Sequence, residues 1–312
     1  MLPEKPWKLE AILRLGLSIF VCQFLGAVAV ATAGYIGGGV MTRAWLVFGL
    51  VAGCVLCSAA SLWLLHQPWE LEGFKRRFAL LLVCLYVGLT LGGLAQHFGG
   101  KSNLSPSTWR TLVAALCFQG IALLFVMRFV REHAVGWGVA FGFREQWLKA
   151  LLLGGLAVCV VLPFSVALQV LSISLLTRVH VKAEVQSAVQ ALQDAESPAS
   201  LVAMGVAVVA LAPLAEEILF RGILYPAVKQ AGYPRVAFWG TSLFFAAVHF
   251  NLPTFVPLLL LALTFTWLYE KAGNLLAPIA AHCAFNAFNF FGCIFQEQLI
   301  HLEQQLRRLL GF

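Results

Sequence analysis

Charge is scarce in this sequence: 11% of its 312 residues are Asp, Glu, Lys or Arg, against about a quarter in ordinary soluble domains. With 61% hydrophobic residues and a mean hydropathy of +0.86, a soluble globular chain is excluded. Aspartate is nearly absent, Asp194 being the single one, so chemistry resting on a pair of intramembrane aspartates is excluded too. Short alternating segments are also missing. Long apolar runs separate the charges, which argues against an outer-membrane barrel and for an all-α, polytopic membrane helical bundle. No cleavable signal peptide is expected, because Ala11 onward runs straight into a span-length segment without a small-residue cleavage site.

The net charge of +7 does not point to nucleic acid, since Lys and Arg gather in short loops between apolar runs, where they orient the chain. Cys22, Cys54, Cys57, Cys84, Cys117, Cys159, Cys283 and Cys293 all fall inside or beside apolar runs and read as small buried hydrophobes. Cys54 and Cys57 form a C-x-x-C, but within a span and without a second pair it gives little support to metal or redox work.

Runs of about 20 apolar residues predict spans near 11–36, 44–65, 78–97, 110–130, 149–177, 199–220, 236–250, 254–269 and 275–295, hence about eight or nine transmembrane helices. The segment 236–250 is the weakest, being short and closed by Asn251 and Pro253. In a nine-span arrangement with the N-terminus inside, 13 Lys and Arg lie on one side and 7 on the other, which favours a cytoplasmic N-terminus. The expected organisation is N-terminal transmembrane helices over 1–198, with a polar insertion at 178–198, then a helical core over 199–295 and a polar tail over 296–312. In the insertion Val181, Val185, Ala188, Val189 and Leu192 recur at helical spacing, as in an amphipathic helix lying on the membrane surface. The pairs Gly49 and Gly53, Gly88 and Gly92, and Gly138 and Gly142 suit close helix packing.

An ionisable residue within hydrocarbon is expensive unless it is paired or hydrated, so those that remain there are candidate functional groups. Few do. Glu216 and Glu217 lie well within an apolar run, and His249 and His282 are the histidines clearly so placed. Glu217 and Arg221 are i and i+4, fit for an internal ion pair, which leaves Glu216 about 100° away around the helix and free to face a cavity. His282 and Asn286 repeat the i, i+4 spacing, and Phe245 sits one turn before His249. Two carboxylates, two imidazoles and an amide at membrane depth can supply a base for water and donors for a developing oxyanion. A single buried His or Asn is commonly just an interhelical hydrogen-bond partner, but packing alone seldom calls for two adjacent glutamates.

The ordered set E-E-x-x-x-R (Glu216, Glu217, Arg221), F-x-x-x-H (Phe245, His249) and H-x-x-x-N (His282, Asn286) resembles the CPBP family. That family comprises type II CAAX prenyl endopeptidases and the bacterial Abi-type bacteriocin-processing or self-immunity proteins. The resemblance covers roughly residues 199–295. It implies an intramembrane endopeptidase in which Glu216 activates water, while His249, His282 and Asn286 orient it and stabilise the oxyanion. Glu217, Arg221 and Phe245 would support them. The substrate would be a membrane-associated peptide or protein, prenylated or not, met at the lipid bilayer, in a bacterial plasma membrane. The family is often labelled metalloprotease, yet the two-histidine zinc signature H-E-x-x-H is absent. A divalent metal such as zinc on His249, His282 and Glu216 stays open, and no other cofactor is implied.

Three other readings compete. Gly240-Thr241-Ser242 gives a G-x-S inside an expected span, with His282 as base, as in an intramembrane serine protease, but this leaves the Glu-Glu-Arg cluster unexplained. A proton-coupled transporter also uses intramembrane Glu and His, yet no repeated halves are visible. A non-enzymatic membrane scaffold or self-immunity protein would retain the same residues.

Overall fold

The structure is a computed structural model that describes residues 4–36, 44–67, 71–99, 108–143, 146–181, 187–193, 195 and 197–296. The described residues are helical, with no strand among them, as an all-α bundle requires. The chain divides into two units, residues 8–132 and residues 1–7 with 133–312.

The first unit holds α1 (Leu9–Ile36), α2 (Ala44–His66), α3 (Leu71–Gly99) and α4 (Thr108–Glu132). Of the expected glycine pairs, Gly88 and Gly92 act at its packing surfaces: a methyl group on Gly88 would lie 3.2 Å from Cys57 Cβ on α2, and one on Gly92 would run into Phe24 on α1, whereas one on Gly49 would meet nothing within 4 Å. In lipid, where apolar surface gains little by leaving the solvent, such close backbone approach is a main source of cohesion.

The second unit begins with α5 (Trp137–Phe141), α6 (Trp147–Arg178) and α7 (Ser187–Gln193). A continuous 33-residue helix, Pro198–Gln230, follows. It alternates α-helix with two π-helical turns: α8 (Pro198–Gly205), a π-turn over Val206–Leu211, α9 (Ala212–Glu217), a π-turn over Ile218–Leu224, and α10 (Tyr225–Gln230). Pro213 and Pro226 lie just after the two π-turns, where a missing backbone N–H breaks the regular ladder. The unit closes with α11 (Pro234–Ala247), α12 (Leu252–Ala272) and α13 (Leu276–Ile294).

Seven helices among the described residues are long and apolar enough to cross a membrane, against the eight or nine expected. The difference has two sources. Residues 110–130 are helical within α4, but the side chains before residue 118 lie outside those described. Residues 236–250 yield a helix of only 14 residues, because α11 stops at Ala247 and the chain turns through Val248–Phe250. The protein is a multi-pass membrane protein.

α6 packs on α12 and α13 through Ala150, Val158, Leu261, Phe265, Leu268, Ala277 and Ala281. It therefore belongs to the unit that carries the glutamates, and the boundary expected near residue 198 falls inside that unit. Of the expected amphipathic segment, Val181 is exposed and Leu192 is buried in the short α7, which packs against α13; Val185 and the side chain of Ala188 lie outside the described residues, as does the tail beyond 296. At the other end of the core, Glu270 of α12 accepts from Tyr225 Oη and from Lys229 Nζ, tying α10 to α12.

The N-terminal residues also dock on this unit. Trp7 meets His133 edge-on and lies against Phe141, while Lys5 Nζ, buried, donates to the Ala140 carbonyl. Burial pushes the Lys5 ammonium down to about 8 from an ordinary value of 10.5.

Candidate active site

Glu216 and Glu217 end α9, the α-helical stretch between the two π-turns. As the helical wheel predicts, the two carboxylates part company. Glu217 is fully buried and Glu216 is partly open, with 23% of its side chain exposed. Glu217 Oε1 accepts from Arg221 Nη1 at 2.9 Å, the expected i, i+4 ion pair. Arg221 is itself 1% exposed and reaches α12 twice, donating from Nη2 to the Ala262 carbonyl at 2.9 Å and from Nε to Thr266 Oγ1 at 3.4 Å. Its guanidinium lies 4.5 Å from the Phe245 ring centre and 5.4 Å from that of Phe265. The charge is thus fixed by a carboxylate, two oxygens and two aromatic faces, which offsets the cost of burying it.

His282, from α13, lies with Nδ1 2.9 Å from the same Glu217 Oε1. A carboxylate already bonded to arginine accepts, so Nδ1 carries the hydrogen and the neutral ring has a bare Nε2. The ring stacks on Phe265 at 4.9 Å and meets Phe245 edge-on at 5.9 Å. His249 arrives by another route. The sequence places it on a span, but it sits in the turn after α11, where its Nδ1 donates to the Phe245 carbonyl at 2.7 Å and its ring lies 4.9 Å from that of Phe245. A carbonyl only accepts, so this imidazole too has a bare Nε2 in its neutral form.

Both Nε2 atoms lie 3.9 Å from one oxygen, Glu216 Oε2. Three acceptors therefore face a common point at separations too long for direct hydrogen bonds and right for sharing a water molecule. The donor set also has the chemistry of zinc ligands, each imidazole being oriented through Nδ1. The spacing does not fit. Zinc bonds near 2.1 Å set tetrahedral ligand atoms about 3.4 Å apart, and among the described residues no group of three or more His, Cys, Asp or Glu is arranged to hold a metal ion.

Asn286 stands one turn along α13 from His282, and its Nδ2 donates to the Val208 carbonyl in the first π-turn at 2.9 Å, leaving one amide hydrogen. Ser242 is fully buried on the Arg221 side: its Oγ donates to the Phe238 carbonyl at 2.8 Å and lies 3.3 Å from Thr266 Oγ1. His282 finds its polar neighbours in the two glutamates instead, so the serine-protease arrangement does not form.

Glu216, Glu217, Arg221, Phe245, His249 and His282 are thus linked in one cluster, and Asn286 is tied to the neighbouring π-turn through Val208. The sequence reading missed Phe265, Thr266 and the carbonyls of Ala262 and Val208. Phe265 and Thr266 carry no mark that separates them from other residues of an apolar span, whereas Pro213 and Pro226 inside a helical run were a visible sign of the π-turns.

Residues 198–288 match the family model described as type II CAAX prenyl endopeptidase Rce1-like. The UPF0177 protein YxdF of Lactococcus lactis subsp. lactis (strain IL1403) is 33% identical over 79 residues, which make up 25% of this chain and 43% of that protein. The match thus spans less than half the length of this relative. No solved structure matches the chain. The resemblance read from the three motifs is upheld by the Rce1-like match over residues 198–288.

Proposed function

From the Rce1-like domain over residues 198–288, we propose that this protein is an intramembrane endopeptidase that hydrolyses a peptide bond through water activated by Glu216. The observation that carries this reading is the convergence of His249 Nε2 and His282 Nε2 on Glu216 Oε2 at 3.9 Å each. A water at that point donates one hydrogen to Glu216 and the other to an imidazole, which turns its lone pairs outward to a substrate carbonyl. Glu216 takes the first proton as the oxygen attacks. The remaining Asn286 amide hydrogen stabilises the oxyanion of the tetrahedral intermediate. Glu216 then passes its proton to the leaving nitrogen as the C–N bond breaks, so the elements of water are divided between a new carboxyl and a new amine. Glu217 and Arg221 hold His282 in the tautomer this needs, as the carboxylate of a catalytic triad holds its histidine.

The substrate is a membrane-associated peptide or protein, of which a prenylated CAAX-type C terminus is one form. The site serves a bacterial plasma membrane and opens toward its cytoplasmic half. The test is cleavage by the purified, lipid-reconstituted protein of a farnesylated CAAX peptide and of a pool of unlipidated peptides. His249→Ala and His282→Ala each lower turnover about a hundredfold if the imidazoles position the water. Wild-type rates in both variants contradict the reading.

A further inference from the structure

The carbonyl that holds Asn286 is available because of the residue at position 213. In an α-helix Val208 O takes the N–H of residue 212, and in a π-turn that of residue 213. Ala212 donates instead to Ala207 O, five residues back, and residue 213 is a proline with no N–H to give. Both backbone donors therefore pass Val208 by. A carbonyl without a donor at membrane depth is costly, and Asn286 Nδ2 fills the vacancy from α13 at 2.9 Å.

We infer that Pro213 is a positioning residue for the proposed hydrolysis: by withholding an amide hydrogen it frees Val208 O to grip Asn286, which aims the remaining Nδ2 hydrogen at the oxyanion. The inference rests on the role proposed for Asn286. Pro213 is buried and lies three residues before Glu216 on the same helical stretch, so one local break in the ladder sets both the base and the amide in place. A carboxamide bonded to a side-chain partner would share that partner's rotamers. Bonded to a backbone oxygen of the helix that carries Glu216, it is fixed relative to the general base.

The experiment uses the full-length protein in liposomes, with the farnesylated CAAX peptide and the unlipidated pool as probes. Two variants separate the missing hydrogen from the proline ring. Pro213→Ala supplies an N–H that competes for Val208 O, and it is expected to lower kcat about tenfold or more while KM moves less than about twofold. An ester variant, carrying the α-hydroxy-acid analogue of alanine at position 213, has the same side chain and no N–H. It is expected to keep kcat within about threefold of wild type. Combining Pro213→Ala with Asn286→Ala is expected to cost no more than Asn286→Ala alone, since both act through one group. Equal losses in the alanine and ester variants, or losses that multiply in the double variant, overturn the inference.

A second readout needs no substrate. In protein labelled with 15N-asparagine, the Asn286 amide pair is identified by its disappearance in Asn286→Ala. Its hydrogen-bonded proton is expected to keep its shift in the ester variant and to move to the position of a free amide in Pro213→Ala. An unchanged pair in Pro213→Ala overturns the inference and leaves the protease reading intact. Cleavage by Glu216→Gln at the wild-type rate overturns the protease reading, and the positioning role with it.

Discussion

His282 Nδ1 lies 2.9 Å from Glu217 Oε1, the same oxygen that Arg221 Nη1 holds at 2.9 Å. One carboxylate oxygen thus joins a fully buried guanidinium to an imidazole that faces Glu216. Arg221 uses three different nitrogens on Glu217, Thr266 and Ala262, and a lysine has no fork to match them. Arg221→Lys is therefore expected to lower turnover about tenfold, because Glu217 and with it His282 lose their fixed orientation. Arg221→Ala strands a buried carboxylate and is expected to cost about 3 kcal/mol or more of stability. Thermal unfolding in detergent, read beside the cleavage assay, checks both. Wild-type stability and turnover in Arg221→Ala would mean that the pair is not what orients His282.

Ser242 has the sequence context of a nucleophile but is bonded on the far side of the Arg221 network. Ser242→Ala is expected to retain turnover within about threefold, and the wild-type protein to resist a fluorophosphonate probe. Covalent labelling at Ser242 with loss of activity would return the serine mechanism to consideration.

The N-terminal strap gives a pH prediction. The docked Lys5 holds its proton only up to about pH 8, whereas an undocked lysine keeps its own to 10.5, so the undocked state binds more protons between these values. Stability therefore rises with pH across that window, and burial of the charge weighs most heavily below it. The thermal midpoint of wild type is expected to gain on that of Lys5→Met between pH 8 and 10. Parallel curves for the two proteins would show that Lys5 is not buried as a charge.

Metal removal separates the water-based account from a zinc-based one. With both imidazole nitrogens 3.9 Å from Glu216 Oε2, cleavage is expected to persist after dialysis against a chelator, and elemental analysis to find no stoichiometric zinc. Stoichiometric zinc that leaves with His282→Ala, together with activity restored by its return, would assign the site to metal chemistry.

The candidate site was legible in the sequence to the extent that helical periodicity could carry it. The i, i+4 spacing placed Arg221 on Glu217 and turned Glu216 aside, as the structure has them. It also put His249 beside Phe245, although the backbone there is a turn and not a span, because an imidazole folding back on a carbonyl four residues earlier has the same spacing in both. Contacts between helices carry no such signature. Thr266 and Phe265 reach Arg221 from α12, and Val208 reaches Asn286 across 78 positions of sequence, through a bond that hinges on a proline five residues further along the same helix. The span count suffered for a related reason: hydropathy registers apolar length, and α11 is apolar but ends at Ala247, too soon to cross.

The role of Glu216 as base is decided by the turnover of Glu216→Gln, purified, reconstituted in liposomes and shown to unfold at the wild-type temperature. The substitution keeps the shape of the side chain and removes the base. If Glu216 activates the water held by His249 and His282, cleavage of the peptide probes falls by about a hundredfold or more while the peptides still bind. Cleavage at the wild-type rate would show that the proton goes elsewhere and that the convergence of the two imidazoles on Glu216 is structural.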